Sequence, residues 1–305
     1  LAALAIALIE IKESGKLTQG TIKFMATVGE EMEQSGSQQL FEKGYADDLD
    51  ALLIAEPSFP SLVYAHKGSM DFRIKSKGRA SHSSLPFLGQ NAIKPLLEFI
   101  QNINQEYEKI TQSVKGESLD FSKMINNLGS QLPNHITKEK AQELIQGLVM
   151  TNSIVQGGTQ VNSVPDFATA EFNVRTIPEY NNNKVKALFN EYIEQANQNG
   201  ASLTQELYLD LEPVVTTGQN RLVELGFDIA KSHFSNERDL IVTPTVAVTD
   251  ASNLLKEKDE NFPFLMFGPG NGPHQINECV EKANYLEFVE YYIEFITSYL
   301  NEENE

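Results

Sequence analysis

A chain of 305 residues with 41% hydrophobic content can bury one large or two ordinary domains, which sets disorder aside. Its 24 basic and 42 acidic residues give a net charge of −18, so nucleic acid and anionic membrane surfaces are repelled partners. The single cysteine, Cys279, allows no internal disulfide and suits a reducing, cytoplasmic setting, and no apolar run is long enough to span a bilayer.

The opening run LAALAIALIEIKESGK has the apolar density of a signal segment. However, no basic stretch precedes it, and Glu10, Lys12 and Glu13 follow at once. It reads as a buried helix over 2–13 that starts at Leu1 without a capping residue, so residues upstream are expected to be missing. TIKFMATV (21–28) predicts a β-branched strand, 38–43 a short helix, and ALLIAEP (51–57) a second short apolar strand. The same pattern returns near the end, with a helix over 221–234, the apolar run LIVTPTVAV, the short strand PFLMFG (263–268) and a closing aromatic helix over 285–300. Short continuous apolar strands between helices predict a mostly parallel sheet covered on both faces.

Between these halves lie a strand over 64–77, a helix over 91–107, a polar stretch over 108–141 with no clear period, strands over 148–156 and 166–175, a helix over 184–199 and a strand over 202–211. The β-α-β-β-α-β order is ferredoxin-like. The expected architecture is therefore an α/β domain formed by 1–62 and 215–305 and interrupted by a ferredoxin-like insert at 63–214, with joins near EPSFPS and EPVVTTG.

In open parallel sheets ligands bind beyond the carboxyl ends of the strands. Glu30 and Glu31 follow TIKFMATV and Gly29, Glu56 follows ALLIA, and His274 lies in GPGNGPHQINE after FLMFG. Carboxylates and an imidazole are donors suited to zinc, and a carboxylate left beside a bound ion suits a general base. The plainer readings are a solvated acidic loop for Glu30-Glu31, an exposed strand-end acid for Glu56 and a loop histidine held by backbone for His274. In the insert, His82 in GRASHSS either donates to a substrate oxygen or caps the next helix. Asn162 lies in a turn between strands. Arg175 either clamps a carboxylate or pairs with a surface acid.

Taken in order, ATVGEEMEQSGS, LLIAEPS, GRASHSSLPFLGQNAI, GGTQVNSVPDFATAEFNVRTIP and FGPGNGPHQINECV resemble one family. It comprises the co-catalytic zinc hydrolases that include succinyl-diaminopimelate desuccinylase, acetylornithine deacetylase, aminoacylase and glutamate carboxypeptidase. The resemblance covers essentially the whole chain. It implies Glu30 as general base, Glu31 with His274 on one metal and Glu56 on the other. It also implies His82 stabilising the oxyanion, in a partner subunit's site, and Asn162 and Arg175 contacting substrate. Further implications are two divalent ions (zinc, with cobalt or manganese as alternatives) and a homodimer through 63–214. The implied reaction is hydrolysis of the amide bond in a small N-acyl amino acid, desuccinylase-like or acetylornithine-deacetylase-like. A dipeptidase, a carboxypeptidase, an aminoacylase or a catalytically silent binding homologue is the alternative. The family's His-x-Asp motif and its metal-bridging Asp are expected upstream of Leu1.

Overall fold

The structure is a computed structural model that describes residues 1–128, 132–234, 239–270 and 276–301. In chain order the elements are α1 (Ala2–Ser14), α2 (Ser35–Glu42), β1 (Leu52–Ile54), β2 (Ser61–His66), β3 (Ser69–Lys77), β4 (Ser81–His82), α3 (Ile93–Ser113), α4 (Ser122–Leu128), α5 (Lys138–Gln146) and β5 (Val149–Gly157). They continue with β6 (Ser163–Val164), β7 (Phe167–Arg175), α6 (Asn182–Gln198), β8 (Leu203–Leu211), α7 (Arg221–Phe234), β9 (Ile241–Thr245), α8 (Ala251–Leu254), β10 (Phe264–Met266) and α9 (Lys282–Asn301).

The first sheet has the order β1-β10-β2-β9; β1 runs parallel to β10 and β2 parallel to β9, with one antiparallel join between the pairs. Strand β10 shows why these segments are continuously apolar. Leu265 packs into the cluster built by α1, α7 and α9, while Phe264 and Met266 face the cluster shared with α8. The first cluster is rich in aromatic rings. Within it the Tyr292 hydroxyl donates to the Phe267 carbonyl at 2.6 Å, which fixes the chain where it leaves β10. The second sheet, β5-β7-β3-β8, is antiparallel throughout and has the ferredoxin-like order. Met70, Phe72 and Ile74 point into the core under α3 and α6, where the Phe72 and Phe189 rings stack at 4.3 Å. The opposite side chains of β3 and β7 are left to line whatever lies beyond that face.

Three sequence expectations change. Residues 21–28 form no strand, because no ladder partner stands beside them among the described residues, and a strand propensity is realised only against a neighbour. Residues 64–77 form two strands: β2 finishes the first sheet at His66 and β3 begins the second at Ser69. The polar stretch over 108–141 holds the end of α3 and two helices, α4 and the start of α5. There Leu119 and Phe121 pack with Ala65 of β2.

The two sheets are joined by two segments running side by side. His66 and Val214 exchange backbone hydrogen bonds at 2.9 and 3.0 Å, and Gly68 and Thr176 do the same at 3.0 and 3.1 Å. Gly68 is needed there: a Cβ would lie 2.2 Å from Thr176 Oγ1 and 2.6 Å from the Leu211 carbonyl. Gly68→Ala is expected to destabilise the protein by about 1–3 kcal/mol through this overpacking, read as a lower urea midpoint at unchanged slope.

Candidate functional site

A cavity of about 1360 Å³ opens between the two sheets. This exceeds the size of an ordinary small-molecule site, because a polar mouth continues into an apolar arm toward Leu4 and Phe295. The mouth brings together four of the residues singled out in the sequence, Glu30, Glu31, Glu56 and Arg175. His82 and Asn162 lie elsewhere, and His274 falls outside the described residues.

The Glu30-Glu31 loop is held by its backbone. The Gly29 carbonyl accepts from the Met32 and Gln34 amides, and the Gly36 amide donates to the Val28 carbonyl. Gly29 adopts φ 74°, a left-handed turn that favours glycine, and a Cβ on Gly36 would sit 2.6 Å from Val28 backbone atoms. The side chain of Gln34, itself buried, donates to Glu30 Oε1 at 3.0 Å. Glu56 follows β1 and runs beside the chain leaving β10. Gly268 approaches so closely that a Cβ would lie 2.5 Å from the Glu56 carbonyl. The segment that leads to His274 therefore starts next to Glu56.

The sequence reading missed Asp250. It lies five residues beyond β9, and the strand-end rule applied to LIVTPTVAV would have reached it. The residue is 7% exposed; Oδ2 accepts from the Thr27 hydroxyl at 2.5 Å, and Oδ1 is buried without a partner. Burial, and then the carboxylates of Glu30, Asp250 and Glu31, push the Glu56 carboxyl up from 4.5 to about 8. The raised Glu56 carboxyl and the buried Asp250 Oδ1, which has no partner among the described residues, are oxygen donors of a kind that fits a divalent cation. Among the described residues, no three His, Cys, Asp or Glu side chains are grouped closely enough to hold the ion by themselves.

Across the mouth, the open face of the second sheet supplies Ser69, Asp71, Asn173 and Arg175. Burial lowers the Arg175 pKa and nearby Asp71 opposes this, yet the guanidinium makes no hydrogen bond or ion pair with any described residue. A desolvated cation facing a cavity is a receptor for an anion.

His82 and Asn162 stand together on the two-stranded β4-β6 sheet. Ser163 pairs with His82, and the Ser83 amide donates to the Asn162 carbonyl at 2.9 Å. Both side chains are exposed. His82 Nδ1 lies 2.8 Å from the Ser84 hydroxyl and accepts from the Ser84 amide at 3.3 Å, an arrangement that suits the tautomer with its proton on Nε2.

The M20 peptidase dimerisation domain profile matches residues 64–201, the segment that carries most of the second sheet. A curated protein of Staphylococcus aureus named "Probable succinyl-diaminopimelate desuccinylase" is 41% identical over 304 residues, covering 99% of this chain and 73% of that protein. Its namesake from Staphylococcus epidermidis is 40% identical over 302 residues, covering 98% and 73%. Among solved structures, an M20 family metallo-carboxypeptidase from Sulfolobus solfataricus superposes with TM-score 0.72 at 20% identity, covering 97% of this chain and 74% of that one. A Staphylococcus aureus tripeptidase gives TM-score 0.65 at 21% identity, covering 98% and 69%. At those identities the two structures share the fold.

The raised Glu56 pKa fixes a sign. Between pH 4.5 and about 8 the folded metal-free chain holds a proton that the unfolded chain has lost, so stability falls as pH rises through that window. Buried His66, pushed down to about 4, acts in the opposite sense below its usual 6.5. The difference between wild type and Glu56→Gln isolates the carboxyl. In chelator-treated protein, urea unfolding should show the wild type losing stability relative to Glu56→Gln from pH 6.5 to 8, and added zinc should reverse the loss.

Proposed function

The chain belongs to the M20 family of metallo-hydrolases together with the succinyl-diaminopimelate desuccinylases, and from that premise we propose that it hydrolyses the amide bond of a small N-acyl amino acid, with N-succinyl-diaminopimelate the first substrate to test. The observation that carries this reading is the cavity lined by Glu30, Glu31, Glu56, Asp250 and an Arg175 that pairs with no described residue.

In this reading Glu31, Glu56 and His274 hold two divalent ions, zinc in the first instance. Such ions, when bound, lower the pKa of water and polarise an amide carbonyl. Glu30 acts as general base: it takes a proton from the attacking water and passes it to the leaving amine. The hydrogen bond from Gln34 keeps one Glu30 oxygen oriented. Arg175 holds a substrate carboxylate and so places the scissile bond over the acids. Asp250 anchors the glutamate loop through Thr27.

We assign His82 and Asn162 to the site of a second copy of the chain, joined through residues 63–214. Support comes from their exposure and from the apolar surface nearby. Phe87 is 76% exposed and Val161 99% exposed, and β5 is an open sheet edge with Ile154 and Val155 uncovered. An exposed imidazole can hold the oxyanion of the tetrahedral intermediate. The lone thiol, Cys279, suits the cytoplasm.

Zinc- or cobalt-loaded full-length protein should hydrolyse N-succinyl-diaminopimelate, and a chelator should abolish turnover. Glu30→Gln is expected to lower kcat by about 10²–10⁴-fold with metal content unchanged, measured by elemental analysis beside the kinetics. Loss of the metal instead would exchange the roles given to the two glutamates. Mixing inactive Glu30→Gln with inactive His82→Ala protein should restore partial activity; mixtures that stay inactive would place His82 outside the partner's site.

A further inference from the structure

The open face of the second sheet carries several charged side chains, and they are treated in two ways. Away from the cavity Arg73 and Lys75 are both neutralised. Arg73 pairs with Glu171 at 2.9 Å and with Glu206 at 3.4 Å, Lys75 pairs with Glu206 at 2.6 Å, and the Tyr208 hydroxyl donates to the second oxygen of Glu171 at 3.0 Å. At the cavity end two opposite charges stand near each other without pairing. Asp71 acts on Arg175 electrostatically, yet the two form no ion pair. Among the described residues, the hydrogen bond to the Asp71 carboxylate is from a neutral amide, Asn173 Nδ2 at 2.6 Å, and no cation pairs with it. Register explains the placement. Asp71 stands opposite Asn173 on the neighbouring strand, Ser69 and Arg175 lie two residues further along their strands on the same face, and all four line the cavity.

Such an arrangement is complementary to a ligand with an anionic and a cationic group a short distance apart. An acid set there only to orient the arginine would close on it, as Glu171 closes on Arg73. A substrate with a carboxylate alone would need the arginine and would be repelled by the acid. We propose that Asp71 is a specificity-determining residue that receives a free ammonium group of the substrate while Arg175 receives a carboxylate, so that the site selects N-acyl diamino acids over N-acyl amino acids with one nitrogen. The inference rests on the hydrolase reading above. It adds a residue and a substrate class to it: the unacylated end of the substrate is held as an amino-acid zwitterion.

The test uses metal-loaded full-length protein and two substrates of one carbon skeleton, N-succinyl-L,L-2,6-diaminopimelate and N-succinyl-L-2-aminopimelate, which lacks the distal amino group. Asp71→Asn keeps an oxygen to accept from Asn173 and removes the charge. The wild type should favour the diamino substrate in kcat/KM by about tenfold or more, the size of a charge-assisted hydrogen bond. In Asp71→Asn that preference should disappear through a higher KM for the diamino substrate, with the other substrate unchanged within about twofold. Asp48→Asn removes an acid from the far arm of the same cavity and should leave the preference intact. A preference that survives in Asp71→Asn, an equal loss for both substrates, or the same loss in Asp48→Asn overturns the proposal. Calorimetric binding of diaminopimelate against 2-aminopimelate, in wild type and Asp71→Asn, reads the same ratio without turnover. If neither substrate is hydrolysed, the hydrolase reading fails and the binding ratio alone decides the role of Asp71.

Discussion

Everything at the cavity mouth follows from one electrostatic constraint: the half-buried Glu56 carboxylate is held within electrostatic reach of Glu30, Glu31 and the buried Asp250. Left to themselves, like charges move apart or take up protons. Here neither escape is complete. Glu56 is fixed by a backbone pressed against Gly268, Glu30 by Gln34 and the Gly29 turn, and Asp250 by Thr27. The framework beneath is stiff because β10 is buried on both faces and its end is fastened by Tyr292. The core thus holds the acids in a state that a cation would relieve.

The fold was legible where a segment's environment is set by its own elements. The strands β1 and β10 and the ferredoxin-like order could be read because their periodicity matches the burial they receive. TIKFMATV was misread for the opposite reason: its composition fits a strand, but strands are defined by partners, and none stands beside it among the described residues. Helices α4 and α5 escaped notice because each is short and buries few side chains, Ile125 in one and Ala141 in the other, which is too few to leave a period.

The site was partly legible by the rule that chemistry sits at strand ends. Applied to segments 21–28, 51–57 and 263–268, the first of which is not a strand, that rule singled out Glu30, Glu31 and Glu56, which line the cavity, and His274, which lies outside the described residues; carried to β9 it would have singled out Asp250. It had no means of finding Asp71, which lies within an alternating strand and gains meaning only from the residues opposite it. Cross-strand register is long-range information, and a single sequence does not display it. For the same reason the meeting of His82 and Asn162 on one small sheet could not be read: Ser81 and Ser163 lie 82 residues apart in the chain and meet only in the fold.

The paired crossing between the sheets has a mechanical consequence. One connecting strand would let the second body tumble about a point. Two strands side by side, bonded to each other at His66–Val214 and to the end of β7 at Gly68–Thr176, oppose sliding and twisting and leave rotation about the line of the crossing as the least hindered relative motion. Arg175 and Asp71 share one hydrogen-bonded sheet, so such a rotation would move them together and change the width of the cleft as a single coordinate.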